Sequence, residues 1–140
     1  MEKYNLKNIK AVKKSMLKRF IKELTTETNT WHGGLVDIEK MKDGFVVIGK
    51  KIIGVVYYFP NKYGAKIGIV VNEKYHGKGI GYKLLVKIEK LAKKNRIDKL
   101  IAKVYSINKP IIHLIEKLNW AILFKSEEFR YYAKIIKQDE

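Results

Sequence analysis

Apolar residues recur every three or four positions at Ile9, Val12, Met16, Leu17, Phe20, Ile21 and Leu24, with Lys10, Lys13, Lys14, Lys18 and Lys22 between them. That spacing predicts an amphipathic helix with a basic outer face. The pattern then breaks: Thr25-Thr26, Asn29-Thr30 and Gly33-Gly34 are turn or cap signals, and a short second helix is expected around Leu35 to Met41. From Phe45 the character changes to strands. Phe45 to Ile48 is followed by a turn at Gly49-Lys50-Lys51, and Ile52 to Phe59 is nearly all apolar, as a central strand covered on both faces would be. Pro60 to Gly64 reads as a turn and Ala65 to Val71 as a third antiparallel strand.

Helical spacing returns at Ile80, Leu84, Leu85, Ile88, Leu91 and Ala92, ending near Asn95, and Lys99 to Tyr105 is a buried strand. Pro110 suits the first turn of a further helix whose apolar positions are Ile111, Ile112, Leu114, Ile115 and Leu118, with Asn119 as a left-handed cap. Trp120 to Lys125 and Phe129 to Ile136 predict a closing hairpin around Ser126-Glu127-Glu128. The order predicts a mixed α/β sandwich around one central sheet, and 140 residues predict a single domain over 1–140.

Composition narrows the chemistry. The chain has no cysteine, which removes disulfides, thiolate nucleophiles and cysteine zinc sites, and His32, His76 and His113 lack metal-ligand spacing, so no metal is expected. No apolar run is long enough to cross a membrane, and the charged N-terminus lacks a signal core, so a cytoplasmic protein is expected. Thirty basic and fourteen acidic residues give a net charge of +16, a field that attracts nucleic acid, phosphorylated cofactors or acidic protein surfaces.

The most chemically loaded stretch joins the third strand to the next helix: Tyr75-His76-Gly77-Lys78-Gly79-Ile80-Gly81-Tyr82. Glycine allows positive φ and close approach of a ligand, and the first turn of a helix offers unpaired N–H groups and partial positive charge to an anion. The P-loop pattern is absent, and the dinucleotide fingerprint fails because Tyr82 stands where its third glycine is required. A different phosphate-binding arrangement is implied.

These motifs, in this order of elements, resemble the GNAT superfamily of N-acetyltransferases, which move an acetyl group from acetyl-CoA to an amine. The resemblance rests on His76-Gly77-Lys78-Gly79-Ile80-Gly81, matching the family's cofactor loop, and on Asn108 through Trp120, matching its second motif. It implies a mostly antiparallel central sheet flanked by helices, with splayed strands forming the CoA slot. It also implies cofactor contacts from Ile69, Val70 and Val71 on the strand, from His76, Gly77, Lys78, Gly79, Ile80, Gly81 and Tyr82 in the loop, and from Asn108. His76 replaces the usual Arg or Gln, and Ile115 stands where many members carry a tyrosine that protonates the departing thiolate. Tyr105, Tyr57 and His113 are therefore the candidates for proton transfer, with Tyr58 and Ser106 close by in sequence.

The acceptor amine is expected to meet the first helices and the closing hairpin, which contain Trp31, His32, Asp37, Glu39, Glu127 and Glu128. The positive charge favours an acidic or nucleic-acid-associated target, on a monomer or homodimer. The rival reading is a basic CoA- or nucleic-acid-binding module without transfer activity. Seven basic and two acidic residues between Lys83 and Lys99 motivate it, although no aromatic residues interleave with that run.

Overall fold

The computed structural model describes residues 4–24 and 40–138. Strand β1 (Asn5–Asn8) leads through a single 3-10 turn (Ile9–Ala11) into α1 (Lys14–Glu23). Then come β2 (Asp43–Ile48), β3 (Ile52–Asn61), β4 (Gly64–Val71), α2 (Ile80–Lys94), β5 (Lys99–Tyr105), α3 (Lys109–Lys117), β6 (Ala121–Lys125) and β7 (Phe129–Ile135). The expected second helix near Leu35, and with it Trp31, His32, Asp37 and Glu39, lies outside the described residues.

The seven strands form one sheet in the order β1-β2-β3-β4-β5-β7-β6. Every neighbouring pair is antiparallel except β4 and β5, which run parallel. On one face Leu84, Leu85 and Ile88 of α2 and Ile112 and Ile115 of α3 bury against Ile67, Ile69, Leu100 and Ala102. On the other face Leu17 and Phe20 of α1 pack on Val46, Val55 and Val70. Burying a ring such as Phe20 contributes about 1.5–3 kcal/mol, and α1 keeps Lys14, Lys18 and Lys22 in water.

The start of the chain corrects the expected helix. Ile9 and Val12 join the same apolar cluster as α1, which is why their spacing looks helical, yet they precede it. Asn8 ends β1 by accepting a hydrogen bond from the Lys10 amide (2.9 Å), which favours the short turn. β1 itself has a polar sequence because it is the sheet's edge.

Asp43 fastens that edge. Its Oδ1 accepts from Asn8 Nδ2 (3.0 Å) and from the Gly44 amide (2.8 Å), and Lys10 Nζ lies 3.5 Å from Oδ2. Burial pushes its pKa up, but the hydrogen bonds and the Lys10 charge outweigh it and leave the carboxyl below its ordinary 3.8. A depressed carboxyl stabilises the fold above its unfolded pKa, and that stabilisation is lost as pH falls through the folded value. Asp43→Asn is therefore expected to lower stability at pH 7 and to flatten the acid limb below pH 3.8. Urea unfolding at pH 7 and pH 3 measures both; equal pH dependence in the two proteins would rule this role out.

Candidate active site

The feature that makes a site possible is the short pairing of β4 with β5. It covers only three residue pairs, Ala65↔Leu100 to Ile67↔Ala102. Beyond Ile67, β4 stays on β3 through Val71↔Gly54, while β5 stays on β7 through Tyr105↔Phe129. Each arm is held by its outer neighbour, so the sheet opens between them.

The phase of the β3–β4 ladder decides which backbone groups face this opening. The Asn72 amide donates to the Ile53 carbonyl (2.9 Å), which marks that pair as hydrogen-bonded. Because bonded and non-bonded pairs alternate in an antiparallel ladder, Val70 and Gly68 direct their polar groups to β3. Ile69 and Val71 direct theirs into the opening. Val70 is also buried on the α1 side of the sheet, so it does not join Ile69 and Val71 there. His76 Nε2 lies 2.9 Å from the Val71 carbonyl oxygen, tying the glycine loop to the end of β4.

The loop arrives at α2 through two left-handed residues, Gly77 (φ 78°) and Gly79 (φ 77°). Gly79 is the N-cap of α2, and the first helical bond runs from Lys83 N to its carbonyl (3.1 Å). Among the described residues, no main-chain carbonyl accepts the amide protons of 77–82. A Cβ added at Gly77 or Gly79 would meet nothing within 4 Å, so open space lies above both. Gly81 serves differently: a Cβ there would stand 2.9 Å from Leu114 Cδ1, so its lack of a side chain lets α2 approach α3.

A cavity of about 230 Å³ lies between the loop and α3. His76, Gly77, Gly79, Ile80, Gly81 and Tyr82 line one side, with Asn108 and His113 opposite and Val71 also in the lining. Asn108 is buried and caps α3, its Oδ1 accepting from the Ile111 amide at 3.4 Å. Lys78 is exposed, its Nζ 5.5 Å from the centre of the Tyr75 ring. His113 is exposed on α3 at this cavity.

The other proton-transfer candidates are placed apart from it. Tyr57 lies on the α1 face of the sheet, stacked on Phe59, and its ring crosses Gly68: a Cβ there would stand 2.3 Å from the phenolic oxygen. Gly68 is the first β4 residue past the pairing with β5, so the Tyr57 hydroxyl stands where the sheet begins to open. Tyr105 shares that face, edge-on to Phe129 at 6.5 Å. Tyr58 faces the opposite way and accepts from Asn95 Nδ2 (2.8 Å). Ser106 ties β5 to the hairpin through its amide, which donates to the Glu128 carbonyl (2.8 Å). Ile115 is fully buried in the α2–α3 core.

Sequence reading missed Gly68. Its signal is an isolated glycine inside a strand pattern, which marks a close approach. It also missed Lys66, which shares the α1 face with Phe59. Burial, then the charges of Lys103 and Lys40, lower the Lys66 pKa from its ordinary value.

The sequence profile of the Acetyltransferase (GNAT) family matches residues 11–120. The chain belongs to the GNAT acetyltransferase family. The splayed sheet and the loop at the head of α2 are thus those of an acyltransferase family that uses acetyl-CoA. Solved structures share the fold of this GNAT protein. An N-acetyltransferase from Staphylococcus aureus Mu50 superposes with a TM-score of 0.75 at 16% identity, over 97% of this chain and 100% of its own. The ribosomal-protein-S18-alanine N-acetyltransferase of Escherichia coli gives 0.75 at 15%, over 99% and 97%. YncA of Salmonella typhimurium, solved with its cofactor acetyl-CoA, gives 0.76 at 13%, over 99% and 96%. No curated protein sequence matches the chain. Among the described residues, no helix is long and apolar enough to cross a membrane and no cluster of His, Asp or Glu could hold a metal.

Proposed function

We propose that this protein is an N-acetyltransferase that moves the acetyl group of acetyl-CoA directly to an amine acceptor. The observation that carries this reading is the run of main-chain amides at 77–82 without a main-chain acceptor among the described residues, at the head of α2 and beside an opening in the sheet. A diphosphate suits those amides, since a helix N-terminus with open space before it is an anion site. The donor fits this chain on two counts: positive φ and free volume at Gly77 and Gly79, and a cavity leading from them past Asn108 to Val71.

Acetyl-CoA supplies an acyl carbon already activated as a thioester. The amides of residues 77–82 hold its diphosphate, and Asn108, already fixed as the cap of α3, meets the pantetheine arm. The backbone of Ile69 and Val71 orients that arm. The Val71 carbonyl is engaged by His76, which leaves the Val71 N–H to face negative charge growing on the thioester oxygen. The neutral acceptor nitrogen enters from the α1 face, forms the C–N bond as the C–S bond breaks, and releases its surplus proton to water, which reprotonates the donor that serves sulfur. Tyr57 stands at the opening and returns a proton to sulfur, the task that Ile115 cannot perform. His113 sits at the loop-side cavity, a poorer position for that proton. Much of the rate comes from holding both reactants in the opening.

Calorimetric titration with acetyl-CoA, followed by thiol detection across an amine panel, tests the reading. Saturable binding with amine-dependent thiol release is expected. Binding without release for any amine would leave a CoA-binding module, and no binding would remove the cofactor assignment.

A further inference from the structure

The face of the sheet turned away from the cofactor cavity has a chemistry of its own at the opening. Lys66 of β4 and Lys103 of β5 lie on that face with Tyr57, Phe59, Tyr105 and Phe129, as the strand register requires. Lys103 Nζ stands 4.6 Å from the centre of the Phe129 ring and 5.6 Å from that of Tyr105. Lys66 precedes Gly68 by two residues, roughly 7 Å along the strand. Both lysines are half-buried. Among the described residues, no carboxylate pairs with either one. Glu127 and Glu128 of the closing hairpin are exposed at its turn.

Two lysines held near one another, with no acidic partner among the described residues, repel each other, and their half-burial lowers the dielectric around them. The Lys66 pKa is lowered first by burial and then by the charges of Lys103 and Lys40. An anion between them removes the repulsion, whereas a polycation adds to it. The Tyr105 and Phe129 rings hold the Lys103 ammonium in place by cation–π attraction.

Resting on the acetyltransferase reading, we propose that Lys66 and Lys103 select an acceptor whose amine is accompanied, a few bonds away, by a carboxylate. Three sources carry that chemistry: a free amino acid, a dipeptide with a free C-terminus, and a peptide N-terminus followed by Asp or Glu.

The test uses the full chain with acetyl-CoA. Initial rates of thiol release are compared for free amino acids against their amides, for dipeptides against dipeptide amides, for Ser-Asp- against Ser-Asn-headed peptide amides, and for spermidine. The expected result is a preference for the carboxylate-bearing member of at least one pair, and the pair that responds identifies the source. Lys66→Gln and Lys103→Gln are each expected to raise KM for that acceptor by roughly 10- to 100-fold, the range for losing a charged hydrogen-bond partner. Their ratio of carboxylate to amide substrate should fall toward one. Acetyl-CoA affinity, measured by calorimetry, verifies that the variants are folded. Spermidine or the amides performing as well as the carboxylates would overturn the inference while leaving acetyl transfer intact. A carboxylate preference that survives in the double variant would also overturn it. Failure of every amine despite acetyl-CoA binding would instead sink the transferase reading, and this inference with it.

Discussion

Gly79→Glu is expected to fold and to lose acetyl-CoA binding. Gly79 adopts a φ of 77°, so any side chain there carries left-handed strain, about 1–2 kcal/mol. A domain of this size has about 5–15 kcal/mol in hand, and a carboxylate at the head of a helix recovers part of the cost. Packing adds no further penalty, because an added Cβ would meet no atom within 4 Å. The same open space is where the proposed function puts the diphosphate. A glutamate there accepts from the amides that the ligand needs and repels its negative charge. The affinity is expected to fall by about 100-fold or more, or about 2.7 kcal/mol. Gly79→Ala keeps the strain without the carboxylate and should lose far less. Calorimetry measures both, with thermal melts to verify folding. Equal affinity in Gly79→Glu and the parent would mean that the loop does not hold the cofactor.

The elements that could be read from sequence are those whose burial imposes a pattern. Ile52 to Val56 is buried residue after residue because helices cover both faces of β3, so its apolar run could be read directly. In α2, Leu84, Leu85, Ile88 and Leu91 repeat because one face meets the sheet. β1 has no such constraint: as an edge strand its sequence is Asn-Leu-Lys-Asn, and nothing in that string requires a strand. The glycine loop was legible because positive φ at Gly77 and Gly79 selects the residue type itself.

The site was less legible than the fold, because its decisive relations join distant segments. Whether Val70 or Val71 turns its amide to the opening depends on the phase of the β3–β4 ladder, set by the bond from Asn72 to Ile53. Lys66 and Lys103 come together only because β4 and β5 pair in parallel across α2. Ile69 and Val71 could be named from the family resemblance, but the lysines could not. Conversely, Ile115 announced a missing tyrosine, while Tyr57, proposed as its replacement, is singled out only by the position of its ring over Gly68.

That placement yields the second large effect. Tyr57→Phe is expected to leave acetyl-CoA affinity near that of the parent and to lower kcat roughly 10- to 100-fold, below the full range of general acid catalysis because a thiolate leaves readily. Gly68→Ala tests the same hydroxyl without touching Tyr57. Its new Cβ would overlap the phenolic oxygen and Cζ, each at 2.3 Å, so the ring must swing away from the opening. A comparable loss of kcat follows if position is what matters. The double variant should then be no slower than Tyr57→Phe alone, because residues acting through one group are not additive. If Gly68→Ala slows turnover while Tyr57→Phe does not, the ring shapes the opening and the hydroxyl carries no proton. If neither changes kcat, the proton reaches sulfur from elsewhere, and Tyr105, on the same face beside Lys103, becomes the side chain to replace next.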